Sequence, residues 1–119
     1  MMDKFDLMFE KQRKLQAKFG INDAMDASAK QKYINQMMLA AIRELTEALE
    51  ETPWKNPQLV EFGWKKTSTG SQELFKEELV DVFHFFMNLM IAAEMTPEEL
   101  WARYQAKHQV NLERRSGGY

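Results

Sequence analysis

Cysteine is absent from this chain, and glycine and proline are scarce, at 5 and 3 of 119 residues. Without cysteine there can be no disulfide framework and no thiolate-held metal. So few turn residues argue against a sheet-rich fold with many tight connections. A long hydrophobic run is missing as well. From Leu79 to Ala92 the chain is almost wholly apolar, but Asp81, His84 and Asn88 interrupt it, and it is too short for a membrane span. Met1–Phe9 has no basic region followed by an apolar one, so no signal peptide is expected, and the setting inferred is reducing and cytoplasmic. Nor is there an excess of either charge. A net charge of -2 gives no general pull toward nucleic acid.

What the chain does have is methionine and phenylalanine, 9 and 8 residues respectively, in helical rather than alternating patterns. Its length suits a single domain spanning residues 1–119, with a core but little room for a deep cleft of its own. Phe5, Met8, Phe9 and Leu15 recur at near-helical spacing from about Asp3 to Phe19, with Gly20 where a helix stop belongs. Ser28 and Gln31 have capping-box spacing for a second helix, which runs to about Glu51 before Pro53. Its apolar stripe is Ile34, Met37, Met38, Ala41, Leu45 and Ala48 or Leu49. A third helix is expected from about Ser71 to Glu94. Thr96-Pro97-Glu98-Glu99 then opens a fourth that continues to roughly Glu113. The fold class expected is an all-α bundle of four helices.

Carboxylates stand out within this scheme. Glu44 and Glu47 are three apart in the second helix, and Glu78 and Asp81 are three apart in the third. That interval sets two acids on one helix side. Spacing alone is weak, because Asp3/Asp6 and Glu47/Glu50 share it and most such pairs are simply solvated. Asp81 differs in lying on a helix that is otherwise greasy. Were the two pairs to face one another, four carboxylates would repel, and a hard divalent cation such as Mg²⁺ is the usual remedy. Lys107, Asn111, Arg114 and Arg115 fall at i, i+4, i+7 and i+8 on the fourth helix, a stripe suited to phosphate oxygens.

Glu44-Leu-Thr-Glu47 followed by Glu78-Leu-Val-Asp81-Val-Phe-His84-Phe resembles the ExxE…ExxD pattern of the all-α nucleoside triphosphate pyrophosphohydrolases, the MazG-like enzymes and the dimeric dUTPases. Trp64-Lys65 between the acidic pairs is similar to many members. The Lys107, Asn111, Arg114 run with closing Gly118-Tyr119 resembles their triphosphate-binding tail, and Gln12 with Leu15 their base-contacting first segment. The resemblance implies cleavage of a nucleoside triphosphate between the α and β phosphates, giving a monophosphate and pyrophosphate. It implies Mg²⁺, for which Mn²⁺ can substitute, held by Glu44, Glu47, Glu78 and Asp81, with Glu44 or Glu47 orienting the attacking water. Lys107, Asn111, Arg114 and Tyr119 would hold phosphates, Tyr119 across a subunit boundary. Asn88 would lie near the sugar, with Gln12, Trp64 and Lys65 toward the base. A deoxypyrimidine is the substrate expected, dUTP first, with a purine deoxynucleotide as the other option. Arg115 departs from the dimeric dUTPases, which often have Gln there, and the chain is shorter than that branch.

Other readings stay open at this level. His84, one turn after Asp81, fits a buried structural histidine better than a ligand. The Phe83, Phe85, Phe86, Met87, Met90 and Ile91 surface suits core or a homodimer seam, with a tetramer also allowed. A non-enzymatic helical adaptor could use that surface for a protein partner. A di-iron carboxylate site wants Glu-x-x-His on two helices, and the chain has only His84 and His108.

Overall fold

A computed structural model describes residues 2–22, 24–55 and 72–116, and the described residues contain helices and no strand. The helices are α1 (Lys4–Lys18), α2 (Ala27–Glu50), α3 (Gln72–Ala92) and α4 (Pro97–Ser116). The all-α architecture and the four helices agree with the sequence pattern.

Helix ends follow local chemistry. Asp3 and Asp6 cap α1 reciprocally, Asp3 accepting from the Asp6 N–H at 2.9 Å and Asp6 from the Asp3 N–H at 3.2 Å. The helix stops where Gly20 takes φ 81°. The Gly20 and Ile21 N–H groups then bond back to Ala17 and Gln16 carbonyls, a Schellman closure. α3 closes in the same way around Glu94, with Met95 N–H on the Met90 carbonyl and Glu94 N–H on that of Ile91. Here a non-glycine residue sits in the left-handed region, at φ 59°. Thr96 caps α4 as expected, its Oγ1 accepting from Glu99 N–H at 3.1 Å.

The start of α2 differs from the sequence expectation. Asp26, not Ser28, is the cap, accepting from Ala29 N–H at 2.8 Å. Asn22 turns the preceding connection by accepting from Ala24 N–H. This delivers Asp26 to the helix mouth, where a carboxylate is favoured by the helix dipole as well as by the hydrogen bond.

α2 and α3 pack side by side along their lengths, and α1 crosses α3. Phe9, Met90 and Ile91 form the buried centre of that crossing, backed by Phe5, Met95 and Leu100. The Phe5 ring lies 6.5 Å from that of Phe9 and 6.2 Å from that of Phe83. Tyr33 ties α2 to α1, donating to Gln16 Oε1 at 2.6 Å. α4 bends away from α3 by 104° and packs mainly on α1, so its side chains from Trp101 to Arg114 are exposed. No single helix among the described residues is long and apolar enough to cross a membrane.

Coverage is uneven, and this corrects two expectations. Only part of the α2 stripe is enclosed: Ala48 is buried, but Met38, Leu45 and Leu49 are about half exposed. The stripe is wider than the strip α3 can cover. On α3 the buried residues gather in the C-terminal half, from Met87 to Ala92, where α1 lies across it. His84 is therefore exposed, not buried and structural.

Candidate active site

The first turns of α3 lie against the last turns of α2, so Glu78 comes opposite Glu44 and Glu47. One carboxylate oxygen from each of these three lies within 4.8 Å of the other two, and all three residues are half-buried. The Oε2 atoms of Glu44 and Glu78 are screened from water, and neither has a hydrogen-bond donor. Three negative charges so close cannot all be held cheaply. The response falls on Glu44, whose carboxyl is pushed up to about 7, first because its protonated form can donate to Glu78, then by burial, then by repulsion from Glu47, Glu78 and Asp81. A proton is one way to fill this gap. A hard cation with carboxylate ligands is another, and two screened oxygens without donors fit it well.

Asp81 stands apart. It is exposed and outside the group of three, although its charge reaches Glu44. Glu47 has one oxygen engaged, since its Oε1 accepts from Arg43 Nε at 3.2 Å.

Farther along the α2–α3 groove the structure joins two residues that the sequence offered separately. Gln12 Nε2 donates to Asn88 Oδ1 at 2.6 Å, and both are buried. Asn88 Nδ2 in turn donates to Met37 Sδ at 3.4 Å. Met37 was legible only as a packing residue, because nothing in a methionine at helical spacing marks it as an acceptor. The Tyr33–Gln16 pair was not foreseen either. Burial pushes the Tyr33 phenol up to about 12, so it stays a donor. A faint signal existed in Gln12 and Gln16, one helical turn apart on α1.

Lys107, Asn111 and Arg114 do not join the carboxylates along the groove. They are exposed on a helix that packs on α1 rather than along α2. Beside them, Trp101, Tyr104 and His108 form a ladder of stacked rings with centroids 6.0 and 5.9 Å apart. A groove of about 740 Å³ lies between the N-terminal turns of α1 and α4, lined by Phe5, Phe86, Leu100, Trp101 and Tyr104 with Asp3, Asp6 and Glu98, and it does not include the acidic group. Trp64, Lys65 and Tyr119 lie outside the described residues.

Two phage proteins are similar to parts of this chain. A dCTP pyrophosphatase of Enterobacteria phage T4 is 43% identical over 44 residues, covering 37% of this chain and 26% of that protein. A dCTP pyrophosphatase of Enterobacteria phage LZ5 is 41% identical over 70 residues, covering 56% of this chain and 40% of that protein. The matched part is thus less than half the length of either relative. No solved structure matches significantly. Residues 4–97, which hold α1, α2, α3 and all four candidate metal ligands, match the family described as dUTPase, and the chain belongs to that family.

Proposed function

We propose that this chain is a Mg²⁺-dependent deoxynucleoside triphosphate pyrophosphohydrolase, cleaving between the α and β phosphates to a monophosphate and pyrophosphate. The observation that carries the reading is the convergence of Glu44, Glu47 and Glu78 on one gap, with screened oxygens that have no donor. Glu44, Glu47 and Glu78 would hold the ion, with Asp81 one turn farther along α3. Mg²⁺ bound there would polarise phosphoryl oxygens and make bound water more acidic, as Mn²⁺ also could.

The chain's own residues supply the rest. Glu44 or Glu47 would orient the attacking water and take its proton. The water oxygen bonds to the α phosphorus, the bond from that phosphorus to the bridging oxygen breaks, and pyrophosphate leaves with the electron pair. Lys107, Asn111, Arg114 and Tyr119 would hold the phosphates, the Lys and Arg neutralising charge and the Asn and Tyr donating hydrogen bonds. Since α4 leans away from α2, these cations serve a site completed by another copy. The exposed apolar residues Met38, Leu39 and Ile42 on α2 support a homodimer, which could pair into a tetramer.

A deoxypyrimidine is the substrate class favoured. The names of the two phage relatives put dCTP beside dUTP as first choices, ahead of purines. The test is a panel of deoxynucleoside triphosphates with Mg²⁺, resolving products by chromatography. Monophosphate and pyrophosphate are expected. Release of inorganic phosphate, or no turnover with any nucleotide, overturns the proposal.

A further inference from the structure

Arg43 is bonded to one of the three converging acids, its Nε donating to Glu47 Oε1 at 3.2 Å. Among the described residues it is the cation paired with any of Glu44, Glu47, Glu78 and Asp81. The other described ion pairs are Lys14–Glu10, Lys30–Glu94 and Arg103–Glu99. Lys107 and Arg114 are on α4, which packs on α1 instead.

Helix stability is a poor reason for this pair. An exposed ion pair adds little, and the Arg43 side chain is 80% exposed. Its order makes it weaker still. An acid four residues before a base is the favoured arrangement, and Glu10–Lys14 and Glu99–Arg103 both follow it. Arg43 and Glu47 run the other way and set the acid in the last turn of α2, the end where negative charge is disfavoured. The contact also differs in geometry. Arg103 closes on one Glu99 oxygen with Nε at 3.0 Å and a terminal nitrogen at 2.9 Å. In Arg43 the nearest nitrogen is Nε, and no second acceptor residue meets the guanidinium among the described residues. The outer N–H groups are those that a phosphate takes in pairs.

The site has a use for such a cation. A divalent ion among three carboxylates leaves no positive charge over for a triphosphate chain, which is itself strongly anionic. A guanidinium tied by one edge to a ligand carboxylate supplies that charge on an arm already ordered. We infer that Arg43 binds the phosphate chain of the substrate: Glu47 tethers it through Nε, and its terminal N–H groups donate to phosphate oxygens. This rests on the proposed metal site at Glu44, Glu47 and Glu78. The oxygens belong either to the α phosphate or to the pyrophosphate that leaves, and the same chemistry serves both.

The test is titration calorimetry of the whole chain at saturating Mg²⁺ with the α,β-imido analogues of dCTP and dUTP. Beside it run a Mn²⁺ titration without nucleotide and circular dichroism of each variant. Arg43 is exposed, so Arg43→Ala should fold. It should weaken the analogue Kd about tenfold or more. Its Mn²⁺ Kd should stay level or tighten, because a cation that shares Glu47 has been removed. Arg43→Lys keeps a point charge without the fork and should recover part of the loss. Lys14→Ala breaks an exposed pair on α1 and should bind as wild type does. Inorganic pyrophosphate and dCMP separate the two sources. Weaker pyrophosphate binding by Arg43→Ala assigns the contact to the leaving group, and weaker dCMP binding assigns it to the α phosphate.

Unchanged analogue Kd in Arg43→Ala overturns the inference. So does a weakened Mn²⁺ Kd that accounts for the whole loss, since Arg43 would then only prop Glu47 for the ion. An equal loss in Lys14→Ala overturns it as well, because surface charge in general would be responsible. Unaltered binding of both pyrophosphate and dCMP does the same. A wild type that binds neither Mn²⁺ nor the analogues defeats the proposed metal site, and this inference with it. A wild type that binds both, matched by Arg43→Ala, defeats this inference alone.

Discussion

Glu44 and Glu78, on facing sides of α2 and α3, each present a carboxylate oxygen that water does not reach and no donor satisfies. Such a pair stores repulsion that the fold must tolerate when nothing else occupies the gap. The Glu44 carboxyl is held up to about 7 as a result. Between the ordinary carboxylate range and pH 7 the native chain therefore keeps a proton that the unfolded chain has released. Stability from this group is full at low pH and is lost as pH rises through 7, because the native state binds more protons there. Without divalent cations, the melting temperature should fall from pH 5 to pH 8. Mg²⁺ should restore it most strongly at pH 8, where it displaces no proton. Glu44→Gln should flatten the decline. Calorimetric scans across that range, with and without Mg²⁺, decide the matter, and a rising metal-free curve would contradict it.

Loss of a ligand has a different signature from loss of a fold. Glu47→Ala and Glu78→Ala each remove one of three converging carboxylates, and each should lower kcat about a hundredfold or more. Their metal-free melting temperatures should stay level or rise, since like-charge repulsion is relieved. Asp81→Ala, at an exposed position, should lose activity without any change in stability. Full activity in any of the three would remove that residue from the metal site.

Much of this was written in residue order. Thr96-Pro97 with Glu99 announced the start of α4, because a cap needs only neighbours in sequence. Gly20 announced the end of α1 for the same reason. The two acidic pairs were visible, and their proximity followed from two long helices with a single connection between them. What could not be read was which side chains a third element covers. His84 and Phe86 are on the same greasy helix as Met87 and Met90, but α1 covers chiefly its later turns, and the first two remain exposed. The Gln12–Asn88 bond joins residues 76 apart in sequence, and no local pattern encodes such a meeting.

Gly20 and Glu94 occupy equivalent positions in two helix closures, at φ 81° and 59°. A side chain added at Gly20 would meet nothing within 4 Å, so Gly20→Ala should cost only the left-handed backbone penalty, about 1 kcal/mol. At Glu94 the comparison must separate backbone from charge, because its Oε1 pairs with Lys30 Nζ at 3.2 Å. Glu94→Gly and Glu94→Ala both lose that exposed pair, and the glycine variant should be the more stable by about 1 kcal/mol. Urea denaturation of the three variants measures both differences. Equal stability of the two Glu94 variants would show that the closure carries no strain.

Tyr33 gives a stability test that should leave catalysis untouched. Its hydroxyl donates to Gln16 Oε1 at 2.6 Å from a buried ring. Tyr33→Phe removes the donor, strands the acceptor, and should cost about 1–2 kcal/mol. The phenol, pushed up to about 12, should remain neutral when exposed tyrosines ionise. Its share of stability is present below pH 10 and lost as pH rises toward 12. Ultraviolet titration of wild type against Tyr33→Phe follows this directly, and a group that titrates near 10 would show that the ring is not enclosed.

The last expectation concerns what covers α2. Leu39 and Ile42 are 68% and 59% exposed, and Met38, Leu45 and Leu49 extend the same apolar surface. Water against five large apolar side chains on one helix is costly enough to drive association. A second copy is the occupant that would also bring a basic α4 toward the carboxylates, since α4 of the same chain is directed elsewhere. Sedimentation at micromolar concentration should report a dimer. Ile42→Glu should weaken it about a hundredfold or more by burying a charge at its centre. Helicity should survive, because Ile42 is exposed within one chain. If the dimer completes the site, kcat/KM should fall with the fraction of dimer as the protein is diluted. A wild type that remains monomeric and fully active would show instead that a single chain closes its own phosphate site.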